Sequence, residues 1–280
     1  MSNRSPQKIT FDGHLSDHML PQLRFDAVEI VFADVQAAWT ALNNNSPLEA
    51  RQIAVNALAS GEEKSKEEKA ALNAAIAGSE YVLGGLDAAD RYARRSLTLY
   101  PKQFTSNRIV LAVLTLRRRY SAAYKHMVDA TLPKRKARWD EGLSLETIEL
   151  ALASWAWNCK AWKEVRMHLS TAVPGGVSDM PTTLVEDTFK LSLYLDSASG
   201  AAAAAERLIV NKSIDLVDQI LQTIVKSGWT KEALPLYRSA FMTHPTDDLL
   251  RRRLVGLCIR EGQIEEARMM AKGGGLRTAA

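Results

Sequence analysis

The feature that most limits what this chain can fold into is a recurrence of small residues at a fixed interval. In "LGGLDAADRYARRSLTLYP" (Leu83 to Pro101) the regular positions are not large: Ala89, Ala93 and Ser96 follow one another at spacings of four and three. That spacing places them on one face of a helix, with Gly84 as a turn before it and Pro101 as a stop after it. From Leu86 to Tyr120 is 34 residues, and from Ala89 to Ala123 is again 34, with Met127 and Ala130 following. Near the C-terminus Gly228, Ala233, Tyr237, Ala240 and Pro245 form a second such set. Gly262 and Ala267 repeat its first two members 34 residues on, with Ile264 and Ala271 alongside. A unit of about that length holds two helices and cannot bury its own apolar face, so it must stack on a neighbour.

Less regular copies fill the space between. "PLEARQIAVNALA" offers Ala50, Ala54 and Ala57, and "NCKAWKEVRMHLSTAVP" offers Trp162, Val165, Leu169 and Ala172. Trp162 follows Tyr120 by 42 residues, which marks an insertion of eight near 133–142. "SASGAAAAAERLIV" offers Gly200, Ala205 and Ile209.

On these residues the chain resembles the tetratricopeptide repeat family. Gly84, Leu86, Ala89, Ala93, Ser96 and Pro101 fall on the slots of that family's pattern, with Ala77 at the small slot of the preceding helix. Gly228, Ala233, Tyr237, Ala240 and Pro245 match more closely. The resemblance implies an all-α, right-handed α-solenoid of antiparallel helical hairpins. About six hairpins would span 23–273, between a flexible N-terminal arm (1–22) and a flexible tail (274–280). The small face of the opening stretch would then be where the next hairpin comes close. The aromatic slots of the first helix are mostly unfilled, and spacings of 42, 40 and 28 break the period. A related α-solenoid, or a bundle with one hairpin packed differently, therefore stays open.

Composition agrees with helices. The chain is 46% hydrophobic, rich in Ala and Leu, and poor in long β-branched runs, so no strand is expected. A helical apolar stripe begins at Arg24 with Phe25, Val28, Val31, Phe32, Val35 and Trp39. Ser46, Pro47 and Glu49 read as an N-cap, a first-turn proline and the closing residue of a capping box.

Several function classes drop out. Cys159 and Cys258 are the two cysteines, in no CxxC spacing, which speaks against a disulfide scaffold or a zinc ribbon and for a reducing compartment. They are expected to fill space as small hydrophobes. The N-terminus shows no apolar leader and no run approaches a membrane span, so a cytoplasmic protein is expected. There is no GxxxxGK[ST], GxSxG or HExxH, and no GxGxxG after a strand, so neither an enzyme nor a cofactor site is expected. Asp12, His14, Asp17 and His18 cluster within seven residues, and the two histidines could share a helix face. A turn capped by Ser16 or Asp17 explains that cluster without a metal. His126, His168 and His244 have no triad partner nearby in sequence and are expected on exposed or interfacial helix faces.

The remaining expectation is a partner. In the resembled family the first helix of each hairpin lines a concave groove that takes peptides. Carrying the slots over gives Tyr81, Arg108, Thr115, Trp157, Asn158, Lys190, Tyr194, Asp218, Gln222 and Arg252. The Lys/Asn clamp with which chaperone-binding members hold a C-terminal carboxylate is absent, since Tyr194 follows Lys190 by four and Ala112 follows Arg108 by four. The formal net charge is +4. Basic residues gather at Arg117, Arg118 and Arg119, at Lys134, Arg135, Lys136 and Arg138 beside Trp139, and at Arg251, Arg252 and Arg253. They read as solvated faces or as a patch for an acidic protein segment. The reading that follows is a non-catalytic scaffold or adaptor for a partner protein, in a larger bacterial-type assembly such as a secretion, pilus or envelope machine by family analogy. The alternative is a nucleic-acid-linked regulator using clusters 117–119, 134–138 and 251–253. Pairing of two copies through the end repeats is a further expectation.

Overall fold

The computed structural model describes residues 32–131, 145–210 and 212–272, and among these it is helical with no strand. The N-terminal arm, residues 133–142 and the tail lie outside the described residues. Fourteen helices follow in order. They are α1 (Ala33–Asn43), α2 (Pro47–Ala59), α3 (Lys66–Val82), α4 (Leu86–Leu99), α5 (Phe104–Leu116), α6 (Tyr120–Thr131) and α7 (Leu145–Asn158). Then come α8 (Trp162–Ala172), α9 (Thr182–Tyr194), α10 (Ala198–Leu208), α11 (Ile214–Lys226), α12 (Thr230–Thr243), α13 (Asp248–Arg260) and α14 (Ile264–Ala271). These make seven pairs, one more than the six expected.

Each pair is closed by the same three-residue turn. Its middle residue is left-handed: Asn45, Gly84, Arg118, Lys160, Asp196, Gly228 and Gly262 all have φ between 52° and 88°. The next amide donates to the carbonyl five residues back, from Ser46 to Ala41 (2.8 Å), Gly85 to Glu80 (2.8 Å), and so on to Gln263 and Cys258 (2.7 Å). This is the Schellman arrangement, which satisfies the last carbonyls of the first helix and reverses the chain. Glycine supplies three of the seven left-handed residues at no steric cost. At the other four a side chain accepts the conformation. Ser46 does not act as expected: its hydroxyl caps nothing, and its amide closes the turn instead. Pro47 does sit in the first turn of α2.

The chain divides into two compact units, up to His168 and from Leu169, with the boundary inside α8. In the first, α1 to α7 pack neighbour on neighbour. One core joins Val35, Trp39 and Leu42 of α1 to Ala50 and Ala54 of α2 and Leu72 and Ile76 of α3. A second joins α3 to α7 through Ala77, Ala89, Ile109, Val113, Met127, Leu152 and Trp155. In the second unit Phe189, Ala204, Leu221, Ile224, Tyr237 and Leu254 are among the buried core residues of α9 to α13.

Ala89, Ala93 and Ser96 are completely buried, as their size suggests, but their role differs from the expectation. The Ser96 hydroxyl donates to the Ala70 carbonyl of α3 at 2.7 Å, so the tight approach there is within the pair. Ala89 and Ala93 share a core with Ala77 of α3 and with Ile109 and Val113 of α5. The small face thus closes a pair on itself and still touches the next one.

Second helices such as α4 bury one stripe. Two first helices bury far more: residues 72–79 of α3 and 105–114 of α5 contain no exposed position, whereas α1 and α13 keep exposed positions along their length. That burial reaches polar side chains, including Asn73, Ser106, Asn107 and Arg108.

Two stability measurements test this account. Arg118→Gly, at an exposed left-handed position, should raise stability by about 1 kcal/mol in urea titration, because L side chains resist this conformation. Ala93→Leu should lower it by roughly 1–3 kcal/mol through overpacking.

Candidate functional site

The expected groove residues do not form one open surface. In the first unit Arg108 is 4% exposed, its guanidinium 5.2 Å from the centre of the Phe104 ring. Tyr81, Thr115, Trp157 and Asn158 are half-buried. The Thr115 hydroxyl donates to the Leu111 carbonyl (2.8 Å) and accepts the Trp155 indole N–H (3.0 Å). Trp157 meets Trp162 edge to face with ring centres 5.2 Å apart, and Asn158 donates to the Ser154 carbonyl. In the second unit Lys190 is buried and donates to the buried Asp187 (3.2 Å). Asp218 is buried, Gln222 half-buried, and Tyr194 and Arg252 are exposed.

Close to the expected groove residues, open aliphatic side chains lie at the last turns of two first helices. Val82 and Leu83 at the end of α3 are 47% and 42% exposed, and Leu116 at the end of α5 is 47% exposed. Val82 and Leu116 are equivalent, each two residues before a left-handed turn residue. Asn158 holds that place in α7. In the second unit the same place carries Tyr194, Lys226 and Arg260, all exposed.

Two partly buried polar networks were not legible from motifs. In the first unit the Glu149 carboxylate lies 2.6 Å from His168 Nδ1, and the Tyr124 hydroxyl lies 3.0 Å from His168 Nε2. With the carboxylate ionised, Nδ1–H donates to Glu149 and Nε2 accepts from Tyr124. His168, expected on an open or interfacial face, is therefore buried and ties α6, α7 and α8 together. Burial, with the carboxylates of Glu164 and Glu149 nearby, pushes the Tyr124 phenol above its ordinary value. The phenol thus keeps its proton and is not a nucleophile at neutral pH, although the order carboxylate, imidazole, hydroxyl is that of a catalytic relay.

In the second unit the Tyr237 hydroxyl accepts from Gln222 Nε2 (2.7 Å) and donates to Asp218 (3.0 Å), with Arg253 3.5 Å from the same carboxylate. Burial pushes the Tyr237 phenol far up. Two of the expected groove residues, Asp218 and Gln222, thus serve this internal network. A sequence signal for both networks exists. Glu149/His168 and Asp218/Tyr237 are each 19 residues apart, as are Asn107 and His126, which lie 2.9 Å from each other. A polar residue on the first helix recurs against His or Tyr on the second.

The basic clusters are partly neutralised. Arg117 pairs with Asp87 (2.5 Å), Arg251 with Asp248 (2.5 Å) and Arg253 with Asp218. Arg118 and Arg119 are exposed. Lys134, Arg135, Lys136, Arg138 and Trp139 lie outside the described residues, as do Asp12, His14, Asp17 and His18. Among the described residues no group of three or more His, Cys, Asp or Glu could hold a metal ion, and no helix is long and apolar enough to cross a membrane. Cys258 fills core space as expected, but Cys159 is exposed.

No protein-family model matches the chain, and no curated protein does.

Cys258 gives a pH test. Burial pushes its thiol from 9.0 up to about 11, so the folded chain keeps a proton that the unfolded chain releases first. The Cys258 contribution to stability is full below pH 9 and is lost between pH 9 and about 11. Cys258→Val should make that fall shallower in urea titrations across the range. Tyr237→Phe, which strips a partner from Asp218 and Gln222, should cost about 1–3 kcal/mol at pH 7.

Proposed function

We propose that this chain is a tetratricopeptide-like, right-handed solenoid of helical hairpins acting as a non-catalytic scaffold for a partner protein segment. The observation that carries this reading is the repeated apolar exposure at the last turns of successive first helices. Val82 at the end of α3, Leu83 just after it and Leu116 at the end of α5 stay open, while residues 72–79 of α3 and 105–114 of α5 are buried. Half-buried Tyr81, Thr115 and Trp157 stand at the neighbouring place in α3, α5 and α7. Aromatic anchors such as Tyr81 and Trp157 are of the type that carries most of the energy in protein interfaces, and the aliphatic residues beside them add apolar area. The exposed Arg118 and Arg119 beside Leu116 favour a segment with acidic residues next to its apolar ones.

The support is a surface, and it differs from the deep groove that the resemblance implied. Arg108, Lys190 and Asp218 are too buried to meet a partner. The Glu149–His168–Tyr124 relay, with His168 buried and its two partners half-buried, ties helices together, which fits a binding scaffold better than an enzyme.

Affinity capture with the full chain tests the proposal. Partners retained after nuclease treatment, and lost with Val82→Arg/Leu116→Arg, are the expected result. Both substitutions sit on exposed positions, so the helical circular dichroism and the melting temperature should not change. Loss of every partner on nuclease treatment, or unchanged capture by the variant, would refute the reading.

A further inference from the structure

The exposed faces of the helix pairs differ in charge. Across α1 and α2, residues 33–59, thirteen residues are exposed and one of them, Glu49, is charged. Across α3 and α4, residues 66–99, eleven are exposed and seven of those are charged. Across α13 and α14, residues 248–271, fourteen are exposed and six of those are charged. The other two charges of the first pair, Asp34 and Arg51, are half-buried and pair with Lys64 and Glu80. In a chain with 24% charged residues, so bare a face has the composition of an interface centre, where charge is depleted.

The relief of this face is a ridge beside a groove. The groove, about 460 Å³, runs between α1 and α2, with the exposed Ala33 and Ala37, the buried Ala41 and the half-buried Ile53 among its lining residues. The ridge is the outward stripe of α2, where Leu48 is 60% and Val55 is 40% exposed. By helical position Gln52 and Asn56 lie between ridge and groove, and Gln52 Nε2 donates to Asn56 Oδ1 at 2.7 Å. Glu49 lines the groove from the first turn of α2, at the end nearest the turn that joins the two helices.

We infer that this face pairs with the same face of a second copy of the chain, about a two-fold axis, with Leu48 and Val55 of each copy entering the groove of the other. Charge selects this occupant. A two-fold axis sets a surface against itself, so like charges on it meet and repel. The faces of α3–α4 and α13–α14 carry several such charges, and the α1–α2 face carries one, at the edge of the groove. With a formal net charge of +4, contact between copies is penalised where that charge is displayed and least penalised here. Relief agrees with charge, because a surface that fits itself must hold a projection and a recess side by side. The uncharged amides of Gln52 and Asn56 then lie nearest the axis, where each can bond its copy. The pairing does not rest on the partner surface at Val82 and Leu116. Where both hold, a paired scaffold presents that surface twice.

Light scattering and sedimentation of the full chain over a roughly hundredfold range of concentration test this. The mass should rise from one chain to two and stop there. Ala37→Arg fills the groove and Val55→Arg charges the ridge, both from exposed positions, so each variant should keep the helical circular dichroism of the unaltered chain. Each should weaken pairing by roughly tenfold or more, because the new charge meets its own copy across the axis. Val82→Arg/Leu116→Arg adds charge to exposed aliphatics outside this face and should leave the pairing constant unchanged. A mass of one chain at every concentration would overturn the inference, as would growth beyond two chains. So would a dimer that survives both Ala37→Arg and Val55→Arg, or one that is lost equally with Val82→Arg/Leu116→Arg.

Discussion

The structure depends on one local device, the left-handed residue that ends the first helix of each pair. Its two backbone hydrogen bonds consume carbonyls that a helix end would otherwise leave open. They also fix the exit direction of the chain, so the next helix starts after three residues and lies back along the first. Everything at larger scale inherits that reversal. The small residues of the second helix matter only because the turn brings them onto the first. The 19-residue polar pairs meet only because the turn holds both helices in register.

Sealing a first helix, as in the middle of α5, has a chemical consequence. A helix with no open face must place its polar side chains against protein, and each then needs an internal partner. Glu149, Asn107 and Asp218 find theirs on the second helix, in His168, His126 and Tyr237. These groups have the composition of a reactive site and the environment of a strut. The open aliphatic residues Val82, Leu83 and Leu116 lie where α3 and α5 end.

Much of this was legible. The helical class, the pairing and the within-pair turns at Gly84, Gly228 and Gly262 follow from glycine and alanine spacing. Where Asn45, Lys160 and Asp196 stand in glycine's place, the turns were harder to read, since any L residue can adopt that conformation at a cost. The site was less legible than the fold. Slot transfer named Arg108, Lys190 and Asp218 as groove residues because a repeat pattern records register along a helix. It does not record how closely adjacent helices close over that face. Tyr81, Thr115 and Trp157, named as groove residues on the same register, are half-buried beside the open last turns, while Val82 and Leu116 have no sequence signal because exposed aliphatics carry no motif.

The constancy of the within-pair turn contrasts with the joints between pairs. Four residues join α4 to α5 and α12 to α13, six join α2 to α3, and nine join α8 to α9. A chain built this way has two kinds of hinge. One is fixed in length because its hydrogen bonds count residues; the other is limited only by reach. Extra sequence can therefore accumulate between pairs without disturbing any core, and this is where the architecture would accept grafted loops, tags or whole inserted modules.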